Sequence, residues 1–268
     1  MEVLNEVDNS SLIFHLKNDA DPRLSNYLFM NNGSPLPMLT IVILYLVSCL
    51  GGKSVMQKRE PMSLKIFIQL YNLVMVLING YLTWELLHSI INDKYGMICR
   101  PHETKDYSNV QLSWMFYVTK YMDFLDTYFF ILRKSFRQVS FLHLYHHASM
   151  VVYMWLITTY IPDSVHSQLI INTIIHFIMY FYYFLTTLGP NIRKYLWWKK
   201  HLTKMQLIQF LIIMLSSCYV LYLDCSSGQI MYNLMYQFTF FYMISYVILF
   251  SQFYIQSYQK SSSKEKVI

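Results

Sequence analysis

Three histidines fall within five residues in the stretch His143-Leu144-Tyr145-His146-His147. On a helix, positions i, i+3 and i+4 share one face, so the three imidazoles form one stripe. The stripe opens an apolar run over residues 141–160, long enough to cross a bilayer. Ionisable groups in such a segment are costly and mark function. Two chemistries use imidazoles in this way. One is metal binding, since three histidines can hold zinc and larger sets hold two irons. The other is acyl transfer, in which a neutral imidazole attacks a thioester and a neighbouring imidazole moves the proton.

Three further polar stripes accompany the histidines. A helix over Lys120-Tyr121-Met122-Asp123-Phe124-Leu125-Asp126-Thr127 puts Lys120, Asp123 and Thr127 on one face with Asp126 beside it. Lys120 and Asp123 can pair at i, i+3, and a purely structural ion pair is the competing account. Asn172, His176, Met179, Tyr180 and Tyr183 form a second stripe, whose tyrosines also suit aromatic packing. Thr203, Gln206 and Gln209 form a third, which interhelical hydrogen bonding alone would explain. Asn and Gln amides are oxyanion donors in a site poor in water. Of the nine histidines, His15, His102 and His166 fall in segments expected to be lumenal, with His88 toward the same side. That leaves few for a di-iron site, although one metal could still be held.

The elements that position these stripes follow from composition. The 268-residue chain is 55% hydrophobic and only 13% charged. Its apolar residues come in blocks of about twenty, the pattern of a polytopic α-helical membrane protein. Seven spans are expected at roughly 36–52, 64–90, 113–132, 140–160, 165–187, 202–222 and 229–253. They divide the chain into an N-terminal arm over 1–35, a membrane domain over 36–253 and a tail over 254–268. Fifteen of the 21 Lys and Arg lie in the loops after spans 1, 3 and 5 and in the tail, which makes that side cytosolic and the N-terminus lumenal. Membrane topology thus accounts for the net charge of +6 without a nucleic-acid partner. Residues 1–30 lack the pattern of a cleavable leader, so the first span is expected to act as its own insertion signal.

With this topology, the stripes meet in a polar chamber open to the cytosol, continued by an apolar tube lined by aromatics and methionine. Cys49 and Cys218 fall in spans, whereas Cys99 and Cys225 fall in two lumenal loops. The lumen is oxidising, so Cys99 and Cys225 are expected to pair. Sequons begin at Asn9 and Asn32. Lys264 and Lys266, third and fifth from the end given, resemble a dilysine retrieval signal of the endoplasmic reticulum, with a solvated basic tail as the alternative.

Taken together, KxxDxxDT at Lys120–Thr127, HxxHH at His143–His147, NxxxHxxMYxYY at Asn172–Tyr183 and TxxQxxQ at Thr203–Gln209 resemble the very-long-chain fatty acid elongase family. One departure is Asp123, where the family pattern has Glu. The resemblance implies six helices around a narrow acyl tunnel with the first helix outside, and it supports the lumenal disulfide. It implies a condensing enzyme of the endoplasmic reticulum that joins a long-chain acyl-CoA to malonyl-CoA, giving 3-oxoacyl-CoA, CoA and carbon dioxide. His146 is implied as the acyl-accepting nucleophile, with His147, His143 and His176 assisting. Lys120, Asp123, Asp126, Thr127, Asn172, Tyr180, Tyr183, Thr203, Gln206 and Gln209 are implied as substrate-side residues. No metal or redox cofactor is required. Membrane lipid, other enzymes of the elongation cycle and a second copy of the chain are the partners to expect. A metal-dependent lipid desaturase or hydroxylase, and a seven-helix receptor, are the alternatives.

Overall fold

The computed structural model describes residues 16, 18–92, 99, 107–226 and 228–259. Among these there is no strand. The main helices are α1 (Leu36–Gln57), α2 (Lys65–Asn92), α3 (Tyr107–Met122), α4 (Phe124–Leu132), α5 (Phe141–Tyr160), α6 (His166–Thr187), α7 (Lys199–Tyr222) and α8 (Ile230–Tyr254). Five of them, α1, α2, α6, α7 and α8, are long and apolar enough to cross a membrane. The chain is a multi-pass membrane protein.

The expected span at 113–132 is not one helix. It is broken at Asp123 into α3 of 16 residues and α4 of nine, each shorter than the roughly 20 residues a span needs. Asp126 N–H donates to the Asp123 carbonyl at 3.3 Å, a tightened turn at the break. It sits where the side chains of Asp123 and Asp126 both meet the Tyr180 hydroxyl. Helix α5 has 20 residues and begins where expected, with Ser140 capping it through the His143 N–H at 3.2 Å. Its three imidazoles lower its apolarity, which is why its composition does not mark it as a span. Helix α1 runs to Gln57, five residues beyond the expected end.

Packing is mostly pairwise. Helix α2 lies along α6, α7 lies along α8, and α3 packs on α5. A Cβ on Gly80 of α2 would sit 3.4 Å from the Phe177 ring, so glycine sets the close approach to α6. The Thr83 hydroxyl donates to Thr173 Oγ1 across the same seam at 2.9 Å. Helix α1 packs outside these pairs, against α4 and α5. Ile66, Phe67, Leu70 and Trp84 of α2 are exposed apolar residues, which a bilayer would cover.

The end of the bundle at the α5–α6 turn is closed by the arm and a disulfide. The Asp21 N–H donates to the Thr159 carbonyl at 2.8 Å, and the Trp114 indole donates to the Leu28 carbonyl at 3.0 Å. The Arg23 guanidinium bridges Asp21 at 2.6 Å and Asp163 at 2.5 Å. Burial works against its charge, but the hydrogen bonds to the two carboxylates outweigh burial and raise its pKa above the ordinary value. Cys99 and Cys225 are joined in a disulfide with Cα atoms 5.2 Å apart. Asn32 is exposed in a 3-10 turn. Asn9, Lys264 and Lys266 lie outside the described residues.

Candidate active site

The break between α3 and α4 and the first turns of α5 carry most of the polar side chains. Lys120 Nζ, only 2% exposed as a residue, lies 3.5 Å from Asp123 Oδ2 and donates to Asn172 Oδ1 at 3.3 Å. It also sits 4.2 Å from the centre of the Phe116 ring. A buried ammonium needs such partners, and here a carboxylate, an amide oxygen and a ring face supply them. The Tyr180 hydroxyl lies 2.7 Å from Asp123 Oδ1 and 2.8 Å from Asp126 Oδ2. Tyr71 of α2 reaches Asp126 Oδ2 at 3.3 Å. One network therefore ties α2, the α3–α4 break and α6 together.

The histidine stripe lies beside this network. His143 Nε2 is 2.8 Å from Thr127 Oγ1. The rings of His143 and His147 are 4.2 Å apart, and those of His146 and His147 are 5.2 Å apart. His146 faces Tyr246 of α8 at 5.4 Å. His176 is buried, with its ring 5.9 Å from that of Tyr180. The Nδ1 atoms of His147 and His176 are buried and have no hydrogen-bond partner in the protein. Among the described residues, no three His, Cys, Asp or Glu side chains converge closely enough to hold a metal ion.

His146 lines a cavity within the bundle. Asn172 and Gln209 share its wall with His146, so amide groups from α6 and α7 face the imidazole across one space. Gln168, Tyr153 and Tyr246 also line the cavity, and the rest is apolar, with Phe116, Met150, Met154, Ile157, Leu169 and Ile213. The wall toward α8 is held by hydroxyls: Tyr242 donates to Ser149 at 2.8 Å, Tyr246 lies 3.1 Å from Ser149, and Tyr153 lies 3.1 Å from Thr239. A reacting carbonyl at His146 would have amide donors beside it and an apolar slot for its chain. This is the arrangement an acyl group needs.

The family model described as ELO, GNS1/SUR4 family, matches residues 30–266. This chain belongs to the ELO family. It is 35% identical to very long chain fatty acid elongase 5 of Xenopus laevis over 271 residues, covering 99% of this chain and 89% of the relative. It is 39% identical to very long chain fatty acid elongase 4 of Homo sapiens over 251 residues, covering 90% of this chain and 76% of the relative. Elongase 5 of Mus musculus is 34% identical over 253 residues, with 92% and 81% covered.

In this ELO-family chain the stripes are not equally placed. Lys120, Asp123, Asp126, Thr127, Asn172, Tyr180 and the four histidines fall in or beside one polar network. Gln209 joins it through the cavity wall. Gln206 instead meets the Met179 sulfur at 3.6 Å, and neither Gln206 nor Thr203 lines the cavity. Tyr183 does not line the cavity; its ring packs edge-on against both Tyr182 and Tyr180, with centres 5.9 and 6.2 Å away. Tyr45, Tyr71, Tyr246 and Gln168 also belong to the site or its lining. Gln168 lies one turn before Asn172 and extends that stripe, a signal the spacing held, whereas for the three tyrosines only the fold shows which way each points.

Proposed function

We propose that this chain is the condensing enzyme of fatty acid elongation, joining a long-chain acyl-CoA to malonyl-CoA. One observation carries the reading: His146, Asn172 and Gln209 share a cavity whose remaining lining, Gln168 and two tyrosines apart, is apolar. Membership of a family whose relatives are named very long chain fatty acid elongases supports it.

The steps balance without a redox partner. An imidazole nitrogen of His146 attacks the thioester carbonyl, and the amides of Asn172 and Gln209 stabilise the oxyanion. The carbon–sulfur bond breaks and the CoA thiolate leaves, taking up a proton. Malonyl-CoA loses carbon dioxide, and the electron pair of the broken bond forms an enolate. That carbon attacks the acyl-imidazole and expels the imidazole, giving 3-oxoacyl-CoA. His143, His147 and His176 move protons and orient the acceptor, while Lys120 and its carboxylates hold α3 against α6.

In this reading α3 and α4 together form one broken span and α5 another, which makes seven. Six helices enclose the acyl tunnel and α1 lies outside. The N-terminus is lumenal and the C-terminus cytosolic, in the endoplasmic reticulum membrane. The 3-oxo product must next be reduced, so enzymes of the same cycle are the natural partners.

The test uses purified, chelator-treated protein with radiolabelled malonyl-CoA and a panel of acyl-CoAs. Wild type should extend acyl chains by two carbons, and His146→Ala should not. Inactive wild type that regains turnover of the acyl chain only with iron and oxygen would refute condensation.

A further inference from the structure

Tyr45 lies on α1, the helix outside the bundle's pairs, yet its hydroxyl is 2.7 Å from Thr127 Oγ1. Thr127 Oγ1 is in turn 2.8 Å from His143 Nε2. Tyr45 is 2% exposed and Thr127 is 0% exposed, so solvent does not compete for either hydroxyl. The Tyr45 ring lies flat on Phe124, with centres 3.8 Å apart and planes at 6°, which fixes where the phenol points.

A threonine hydroxyl has one proton, so it can donate to only one of its two neighbours. The phenol is the more acidic hydroxyl, with a reference pKa of about 10, and is the better donor. With the phenol donating to Thr127 rather than to its other neighbour, the Cys49 thiol, the chain runs from Tyr45 to Thr127 to His143. Nε2 of His143 then accepts, and its proton sits on Nδ1.

We propose that Tyr45 is a positioning residue for the reaction, acting through Thr127 to hold His143 in the Nδ1–H tautomer beside His147. The effect on turnover rests on the condensation reading, whereas the tautomer does not. It gives the outer helix a part in the chemistry.

Tyr45→Phe keeps the ring and its stack and removes only the hydroxyl. In the full-length protein in detergent, kcat should fall about tenfold with KM for acyl-CoA unchanged, the loss of one directed hydrogen bond. The melting temperature should fall only slightly, as the loss of one buried hydrogen bond requires, leaving the protein fully folded at the assay temperature. Ser48→Ala, one turn along α1, removes a hydroxyl that meets Tyr128 at 2.7 Å and should leave kcat unchanged. Thr127→Ser should keep the relay. Thr127→Val should break it, and adding Tyr45→Phe should cost nothing more. Nitrogen-15 NMR of histidine-labelled protein should show His143 protonated at Nδ1 in wild type and a tautomer mixture in Tyr45→Phe.

Wild-type kcat in Tyr45→Phe, an additive double variant, or an unchanged His143 spectrum overturns the proposal. So does a fall in kcat that tracks loss of folded protein at the assay temperature, since Tyr45 would then be a packing residue. Wild-type protein that does not condense refutes the proposed function alone, and the NMR spectra still decide the relay.

Discussion

Ile157→Ala should lengthen the longest primer accepted by one two-carbon step. Ile157 lies on α5, as does His146, and both line the cavity. At about 1.5 Å of rise per residue, eleven positions place Ile157 some 16 Å along the slot from His146, the proposed nucleophile. An extended chain advances about 1.3 Å per methylene with carbon–carbon bonds near 1.5 Å, so some 12 or 13 carbons reach Ile157. Truncation to alanine withdraws about two methylenes' depth of side chain. Two further buried methylenes stabilise the bound chain by about 1.6 kcal/mol, or roughly 15-fold in kcat/KM for the longer primer. The assay is kcat/KM across saturated acyl-CoAs of rising length, with Ile157→Val as the half step. Stability should fall by about 2–5 kcal/mol in the alanine variant and about 0.5–1.5 kcal/mol in the valine, seen as a lower melting temperature in detergent. An unchanged length cut-off, with activity lowered equally on every primer, would refute the claim that this slot holds the acyl chain.

Other consequences follow from the same contacts. Arg23→Met should destabilise the protein by about 3–5 kcal/mol, because it removes the guanidinium from two buried carboxylates; thermal unfolding measures this, and no change would refute the stabilising bridge. Tyr180→Phe should cost about 1–3 kcal/mol and lower turnover, since its hydroxyl lies against both Asp123 and Asp126; wild-type turnover would separate that network from catalysis. Cys99→Ser opens a loop of sequence separation 126, and the melting temperature should fall. Loop entropy puts the ceiling near 5 kcal/mol, and spans held in a bilayer lower it because the unfolded chain is already confined.

Much of the bundle was legible because apolar blocks and a stripe of three histidines are period-based signals. The α5 boundaries agree with the 141–160 run, and the i, i+3, i+4 spacing puts the three imidazoles on one face. The break at Asp123 was not legible. Neither proline nor glycine marks it. It sits where the carboxylates of Asp123, at the break, and Asp126, in α4, meet Tyr180 of α6. Nor could spacing rank the polar stripes. Gln206 and Gln209 look alike in sequence, yet one meets a methionine sulfur and the other faces the cavity. Arg23 and Asp163 are 140 residues apart, and nothing local announces their bridge.

The least apolar of the main helices carry most of the candidate site's ionisable side chains. Five helices are plainly apolar, and α3, α4 and α5 are the main helices outside that set. Those three hold Lys120, Asp123, Asp126, Thr127 and the His143–His147 stripe. The same side chains that build the polar network remove the apolarity by which a span is known. Such segments are tolerable at membrane depth only where neighbouring helices shield them. Here α3 packs on α5, while α1 covers α4 and α5 from outside. Helix α1, with 22 apolar-rich residues, thus gives a lipid-facing surface to segments too polar to present their own. Through Tyr45 it also reaches the polar interior it covers. Replacing α1 by an unrelated apolar span should therefore restore insertion but not full turnover, and restored wild-type kcat would show that cover alone is its role.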